Sequence, residues 1–258
     1  MRIPLRCAAG LAAVVLSAQY AAAADLKVLT TPALNEVWQD LKPKFEATGH
    51  KLDLVYAPGA AIAKRVADGE TADVVFSTVS GIESLTKDGK VVAGTGTPIA
   101  NSGTAVAVLK GAPKPDISTP EKFKQALLNA KAVAYTDPAS GVASGVAFVK
   151  VLDRLGITQE INAKAKLGRG VPAGSFLVKG EADIAIQQLS ELMGVQGIDI
   201  VGPLPGDLQA VTYFAAGVHS ASAHADAGRA LIKFMQSPEA IAAIKAHGLE
   251  PPAAAKAS

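Results

Sequence analysis

The 258-residue chain has one cysteine, Cys7, only 5% aromatic side chains and a single tryptophan. Cys7 lies within "MRIPLRCAAGLAAVVLSAQYAAAA", where two arginines, a short apolar run and small residues have the layout of an export signal. That run is too short to span a bilayer, no later run is long enough, and cleavage before Asp25 is expected. The chain left behind has no cysteine, which excludes a disulfide framework, thiolate metal ligands and a cysteine nucleophile. Surplus charge is missing as well. Without Arg2 and Arg6, the basic side chains equal the 23 acidic ones. A balanced chain offers no basic face to a nucleic acid, and so few aromatics give bases little to stack on. The expected location is the periplasm, and the expected state is a soluble monomer.

Catalytic motifs are also scarce. "SLTK" (Ser84 to Lys87) fits Ser-x-x-Lys, but neither Ser-Asp-Asn nor Lys-Thr-Gly follows it, so a helix surface is the better reading. "GRGVPA" mimics a dinucleotide fingerprint without the buried strand before it or the long helix after it. No Gly-x-Ser-x-Gly elbow occurs, and His50, His219, His224 and His247 lack metal-ligand spacing. Neither a metal nor a cofactor is expected, and the protein is expected not to be an enzyme. Ser84 with Lys87 is the one offer of a periplasmic serine hydrolase.

What is present is an alternation of short apolar strands with helical patterns. "LKVLTT", "KLDLVYA", "ADVVFST", "NSGTAVAVLKG" and "KAVAYTDP" read as strands, with amphipathic helices between them. This order implies βαβ units and a mostly parallel sheet. Thr119 is placed to cap a helix opening at Pro120, and the tail reads as two helices broken at Ser237-Pro238. One layout occurs twice. "AKRVADGETADVVFST" and "SFLVKGEADIAIQQ" each run from a helix end through a glycine, Glu and Ala-Asp into a strand that ends on two polar residues. Gly69 and Gly180 sit where a left-handed helix stop belongs. The two polar pairs, Ser77-Thr78 and Gln187-Gln188, fall at the carboxyl ends of strands, where open α/β sheets bind ligands.

Three helix starts are built from tiny residues: "YAPGAAIAKRV", "DPASGVASGVAF" and "LGRGVPAGSF". A helix start carries unpaired N–H groups and partial positive charge, so such composition suits an anion seat. In the second stretch the candidates are Ser140, Gly141, Ser144 and Gly145; in the third, Arg169 adds a charged donor.

The pieces "LKVLTTPALNEVWQDLKPKFEATG", "AAIAKRVADGETADVVFS", "DPASGVASGVAFVKVLDRLG" and "VKGEADIAIQQLSEL" follow one another as in the periplasmic solute-binding proteins of ABC transporters. The chain most resembles the molybdate-binding branch of that family. The resemblance implies a type II two-lobe α/β fold. Residues 25–104 plus 213–258 would form lobe 1 and 105–212 lobe 2, behind a 1–24 signal peptide, with crossing strands at Ser102–Leu109 and Gln209–Gly217. It also implies capture of a small anionic solute by lobe closure and delivery to an inner-membrane ABC permease. Thr30, Thr31, Gly59, Ala60 and Ser77 would act from the first lobe, and Ser140, Ser144, Arg169 and Gln187 from the second.

The chain departs from the molybdate binders at their ligand positions. Ala33 stands at their first serine, Gly59 or Ala60 at their second, and Gln187 at their cleft tyrosine. Each lost hydroxyl forgoes roughly 1.5–3 kcal/mol with a charged partner. "QQLSEL" resembles a divergent branch of the same family whose ligands look like small organic acids, so the resemblance implies an organic carboxylate as the first candidate ligand, with molybdate, tungstate or another oxyanion the second.

Overall fold

The computed structural model describes residues 23–252; the export signal expected over residues 1–24 falls almost wholly outside them. The elements run β1 (Asp25–Thr30), α1 (Asn35–Glu46), β2 (Lys51–Tyr56), α2 (Gly59–Ala67), β3 (Val74–Thr78), α3 (Val79–Lys87) and β4 (Thr97–Leu109). There follow α4 (Pro120–Asn129), β5 (Val133–Thr136), α5 (Ala143–Leu155), α6 (Thr158–Asn162), β6 (Ala165–Gly168), α7 (Gly174–Val178) and β7 (Ile184–Gln188). The chain continues through α8 (Leu189–Met193), β8 (Ile198–Pro203), β9 (Val211–Val218), α9 (Ala225–Phe234) and α10 (Pro238–Ala246).

The strand order β2-β1-β3-β9-β4-β7-β5-β6, with β8 also on β4, divides the sheet in two at β4. Thr97–Gly103 of β4 pair with β9 in the first half, and Thr104–Ala107 pair with β7 in the second. The crossovers β1–β2, β1–β3, β5–β6 and β5–β7 are parallel, as alternating strands and helices require.

Strand alternation builds the cores. Leu26, Val28, Val74 and Phe76 face one cluster around Trp38, while Leu29 and Val75 face another with Ile62 and Ile82. In the second half Val133, Tyr135, Ile184 and Ile186 pack on α5, where Tyr135 meets Phe148 edge-on at 5.1 Å. The opposite face is built mainly of alanine, with Ala105, Ala107, Ala134 and Ala185 against α7 and α8. Small side chains let those short helices lie close to the sheet.

The repeated layout is structural. Gly69 (φ 98°) and Gly180 (φ 70°) are left-handed stops. Asp73 Oδ2 accepts from Lys27 N–H beside β1, and Asp183 Oδ2 accepts from Lys131 and Ala132 N–H ahead of β5. Each carboxylate thus ties its own strand to the neighbouring one. Thr119 caps α4 as its sequence suggests, and Ser237, at the expected break between the last two helices, caps α10. The first helix departs slightly: a single 3₁₀ turn over Pro32–Leu34 precedes α1, which begins at Asn35.

Candidate functional site

Between the two halves lies a cavity of about 380 Å³. Its walls include Pro32, Asn35, Glu36, Tyr56 and Pro58 from the first half, and Ser140, Val142, Gln187 and Glu191 from the second. The halves meet beside it. A side chain at Gly194 would stand 3.1 Å from Glu36 Oε1, and one at Gly141 would stand 3.1 Å from Ala60 Cβ. A small recess of about 20 Å³ next to the cavity joins Thr31, Gly59, Gln188 and Glu191. On the far side of the Ala60–Gly141 contact, a wide groove of about 1150 Å³ runs past Val146, Lys150 and Tyr213.

The helix starts α2 and α5 both face this interface. Neither has a side-chain cap, and their first helical bonds are Ile62 N–H to Pro58 O and Val146 N–H to Val142 O. The N–H groups of residues 59–61 and 143–145 are therefore left without helical partners, the requirement for seating an anion. α7 is only one turn long and lies behind the Gln187 side chain, whose Oε1 accepts from Ala173 N–H at 2.7 Å.

The candidate residues fall into three groups. Thr31, Gly59, Ser140 and Gln187 line the cavity or its recess, and Ala60 lines the wide groove. Thr31 Oγ1 and Ser77 Oγ are sealed from solvent without hydrogen-bond partners; Ser77 lies beneath Gly59, where an added Cβ would come within 3.2 Å of its hydroxyl. The remaining three have other partners. Thr30 Oγ1 accepts from Trp38 Nε1 at 3.0 Å, Ser144 bonds Thr136 Oγ1, and Arg169 pairs with Asp137 at 2.6 Å. Ala139 N–H and Arg169 hold the Asp137 carboxyl below its usual range. Gly145 serves packing, since a Cβ there would lie 2.4 Å from the Thr136 carbonyl oxygen.

Sequence reasoning missed two carboxyls in this lining, which the residue types alone had suggested would consist of amides and hydroxyls. Glu36 accepts from Asn35 Nδ2 at 2.8 Å and Gln39 Nε2 at 3.2 Å. Glu191 is different. Although the residue is half-buried, its Oε2 is closed to solvent and has no hydrogen-bond partner among the described residues. Burial pushes its carboxyl up to about 7, partly offset by the neighbouring Gln187 side chain. At neutral pH it is therefore divided between a neutral hydrogen-bond donor and a basic carboxylate. Tyr56, across the cavity, is raised to about 12 by burial and then by the Glu36 charge, so its hydroxyl keeps its proton.

Residues 26–250 match the family model described as bacterial extracellular solute-binding protein. The chain belongs to that family. A Pseudomonas sp. protein named aconitate isomerase is 40% identical over 233 residues, covering 88% of this chain and 87% of its own. The Azotobacter vinelandii periplasmic molybdate-binding protein superposes with a TM-score of 0.73 at 22% identity, over 88% of this chain and 100% of its own. The Mycobacterium tuberculosis sulfate-binding protein gives 0.71 at 22% identity, over 90% and 88%. At that distance the two structures speak for the type II binding-protein fold alone. Membership implies a small-molecule ligand, an ABC permease as partner and a place outside the inner membrane.

The enzyme-named relative overturns the expectation that the protein is not an enzyme. That expectation came from searching for a nucleophile beside a base. A carboxyl standing alone, without a nucleophile beside it, leaves no spacing motif to find.

Proposed function

We propose that this protein binds aconitate between its two lobes, divided near β4 and β9 as the sequence suggests, and interconverts its cis and trans isomers. Aconitate is a propene tricarboxylate, and its methylene hydrogens are acidic because the carbanion left behind is conjugated with the double bond and carboxylates. Glu191 carboxylate takes a methylene proton, the double bond shifts by one carbon, and protonation at the former vinyl carbon yields the other isomer. Atoms and charge balance without a cofactor. The observation that carries the reading is the sealed, unpartnered Oε2 of Glu191 on the cavity wall, and the relative's name supplies the substrate.

The surroundings suit such a substrate. Uncapped N–H groups of α2 and α5, with Thr31, are placed to receive carboxylates, while Tyr56 donates from the far wall; the Ser140 hydroxyl is instead committed to the Asp137 carbonyl oxygen at 2.6 Å. Glu36 is the other carboxyl of the lining, and its bonds from the Asn35 and Gln39 amides partly occupy its oxygens. An export signal would place this chemistry in the periplasm, where the permease partner would collect either isomer. Purified protein incubated with cis-aconitate and followed by proton NMR should accumulate the trans isomer, and Glu191→Gln should not. Binding of aconitate without any conversion by wild-type protein would overturn the reading.

A further inference from the structure

α8, which carries Glu191, is only five residues long and has no side-chain cap. Yet its first turn is fixed at two points to the strands that join the halves. Gln188, 2% exposed, donates from Nε2 to Thr212 Oγ1 of β9 at 2.9 Å. Ser190, 2% exposed, lies 3.4 Å (Oγ to Oγ) from Ser102 of β4, itself 1% exposed. Ser102 and Thr212 are direct partners in the β4–β9 ladder, in the last pairs before that ladder ends at Gly103 and Val211. Gln188 in turn pairs with Thr104, the first β4 residue of the second half. Four small polar side chains thus join both halves at the point where β4 passes from one to the other.

The geometry points to a latch: the Gln188–Thr212 and Ser190–Ser102 bonds are positioning contacts that hold Glu191 against the cavity only while the halves are closed. This deepens the isomerase reading and rests on it for its effect on turnover. Ser190 lines the cavity and Gln188 its recess, whereas Ser102 and Thr212 lie outside both; in this scheme the four act through Glu191. If the halves separate at the β4–β9 junction, the pair of bonds stretches, α8 loses its anchor and water reaches Oε2. Proton transfer would then be confined to the closed protein, where the allylic intermediate is kept from solvent.

The test uses Thr212→Val, which removes the acceptor at nearly constant size, with Thr212→Ser as the conservative control. Gln188→Leu breaks the same bond from its other end, should the first variant fold poorly. Two readouts are taken on full-length protein: the titration of Glu191, followed by carbon-13 NMR of labelled glutamate carboxyls and identified by its loss in Glu191→Gln, and steady-state isomerisation of aconitate. The latch predicts that Thr212→Val and Gln188→Leu lower the Glu191 titration midpoint by at least about one pH unit as water enters. It also predicts that kcat falls by about tenfold with KM kept within about twofold. Thr212→Ser should match wild type in both. If folded Thr212→Val and Gln188→Leu keep the wild-type midpoint, the latch is wrong, whatever the activity. If the midpoint moves as expected but wild type converts no aconitate, the latch stands and the isomerase reading falls.

Discussion

The same local layout appears twice, and only one copy sets a carboxyl against the cavity. In the first half β3 ends on Ser77-Thr78 and runs into α3 as Val79-Ser80-Gly81-Ile82; in the second, β7 ends on Gln187-Gln188 and runs into α8 as Leu189-Ser190-Glu191-Leu192. Thr78 caps its helix by accepting from Gly81 N–H at 3.1 Å. Its counterpart Gln188 turns away to Thr212, and the residue matching Gly81 is Glu191. In the first copy the position has no room, since a Cβ at Gly81 would come within 2.8 Å of Ser77 Oγ. In the second it holds a carboxyl against the cavity. A repeated scaffold thus supplies two cleft walls, and the functional difference lies in one side chain and in what its neighbour bonds.

Several changes would sharpen or break this contrast. The largest effect is expected at Glu191 itself: Glu191→Gln should lower aconitate isomerisation by at least about 100-fold while the protein stays folded, as seen by circular dichroism. Residual activity near wild type would move the chemistry elsewhere. Next comes pH. Burial raises the Glu191 carboxyl from 4.5 to about 7, so the unfolded chain releases that proton first. Stability contributed by the protonated form is complete below about 4.5 and is lost as pH rises through about 7, by at most about 3 kcal/mol. Denaturant titrations should show this decline in wild type, and Glu191→Gln should lack it. Because a base must be ionised, kcat/KM should rise with pH up to about 7 and level off above it.

Smaller effects test the scaffold. Gly145→Ala should destabilise by about 1–3 kcal/mol, because its Cβ would force α5 off the Thr136 carbonyl. Asp73→Ala and Asp183→Ala should each cost about 1–3 kcal/mol and resemble one another, since both leave strand N–H groups unbonded. A large difference between them would mean that the two copies are not equivalent supports. Thr78→Ala removes a cap and should cost about 1 kcal/mol without affecting turnover.

The scaffold was largely legible in the sequence because its signals are local. Alternating apolar strands, Gly69 and Gly180 as helix stops, Thr119 as a cap and Ser237-Pro238 as a helix break each depend on a few neighbouring residues. The site was legible only in outline. Polar strand ends and tiny helix starts pointed to the interface between the halves, where the cavity lies, but glycine has two uses that look identical in sequence. Gly145 was read as giving a ligand access to N–H groups, whereas it lets α5 approach β5. Ser144 and Arg169, read as donors to a ligand, have protein partners instead. Glu191 belonged to no motif in the sequence, and the elements on which α8 packs, β4 and α1 among them, are distant in the chain. The one clue available was the repeat: aligned on Asp73 and Asp183, the two copies set Gly81 against Glu191.

The central claim is most directly tested by a crystal structure of the Glu191→Gln protein grown with trans-aconitate. The account predicts the tricarboxylate in the 380 Å³ cavity, its carboxylates on the starts of α2 and α5, and its methylene carbon beside the substituted side chain. Aconitate lying in the wide groove along Tyr213, or bound with its methylene turned away from position 191, would contradict it.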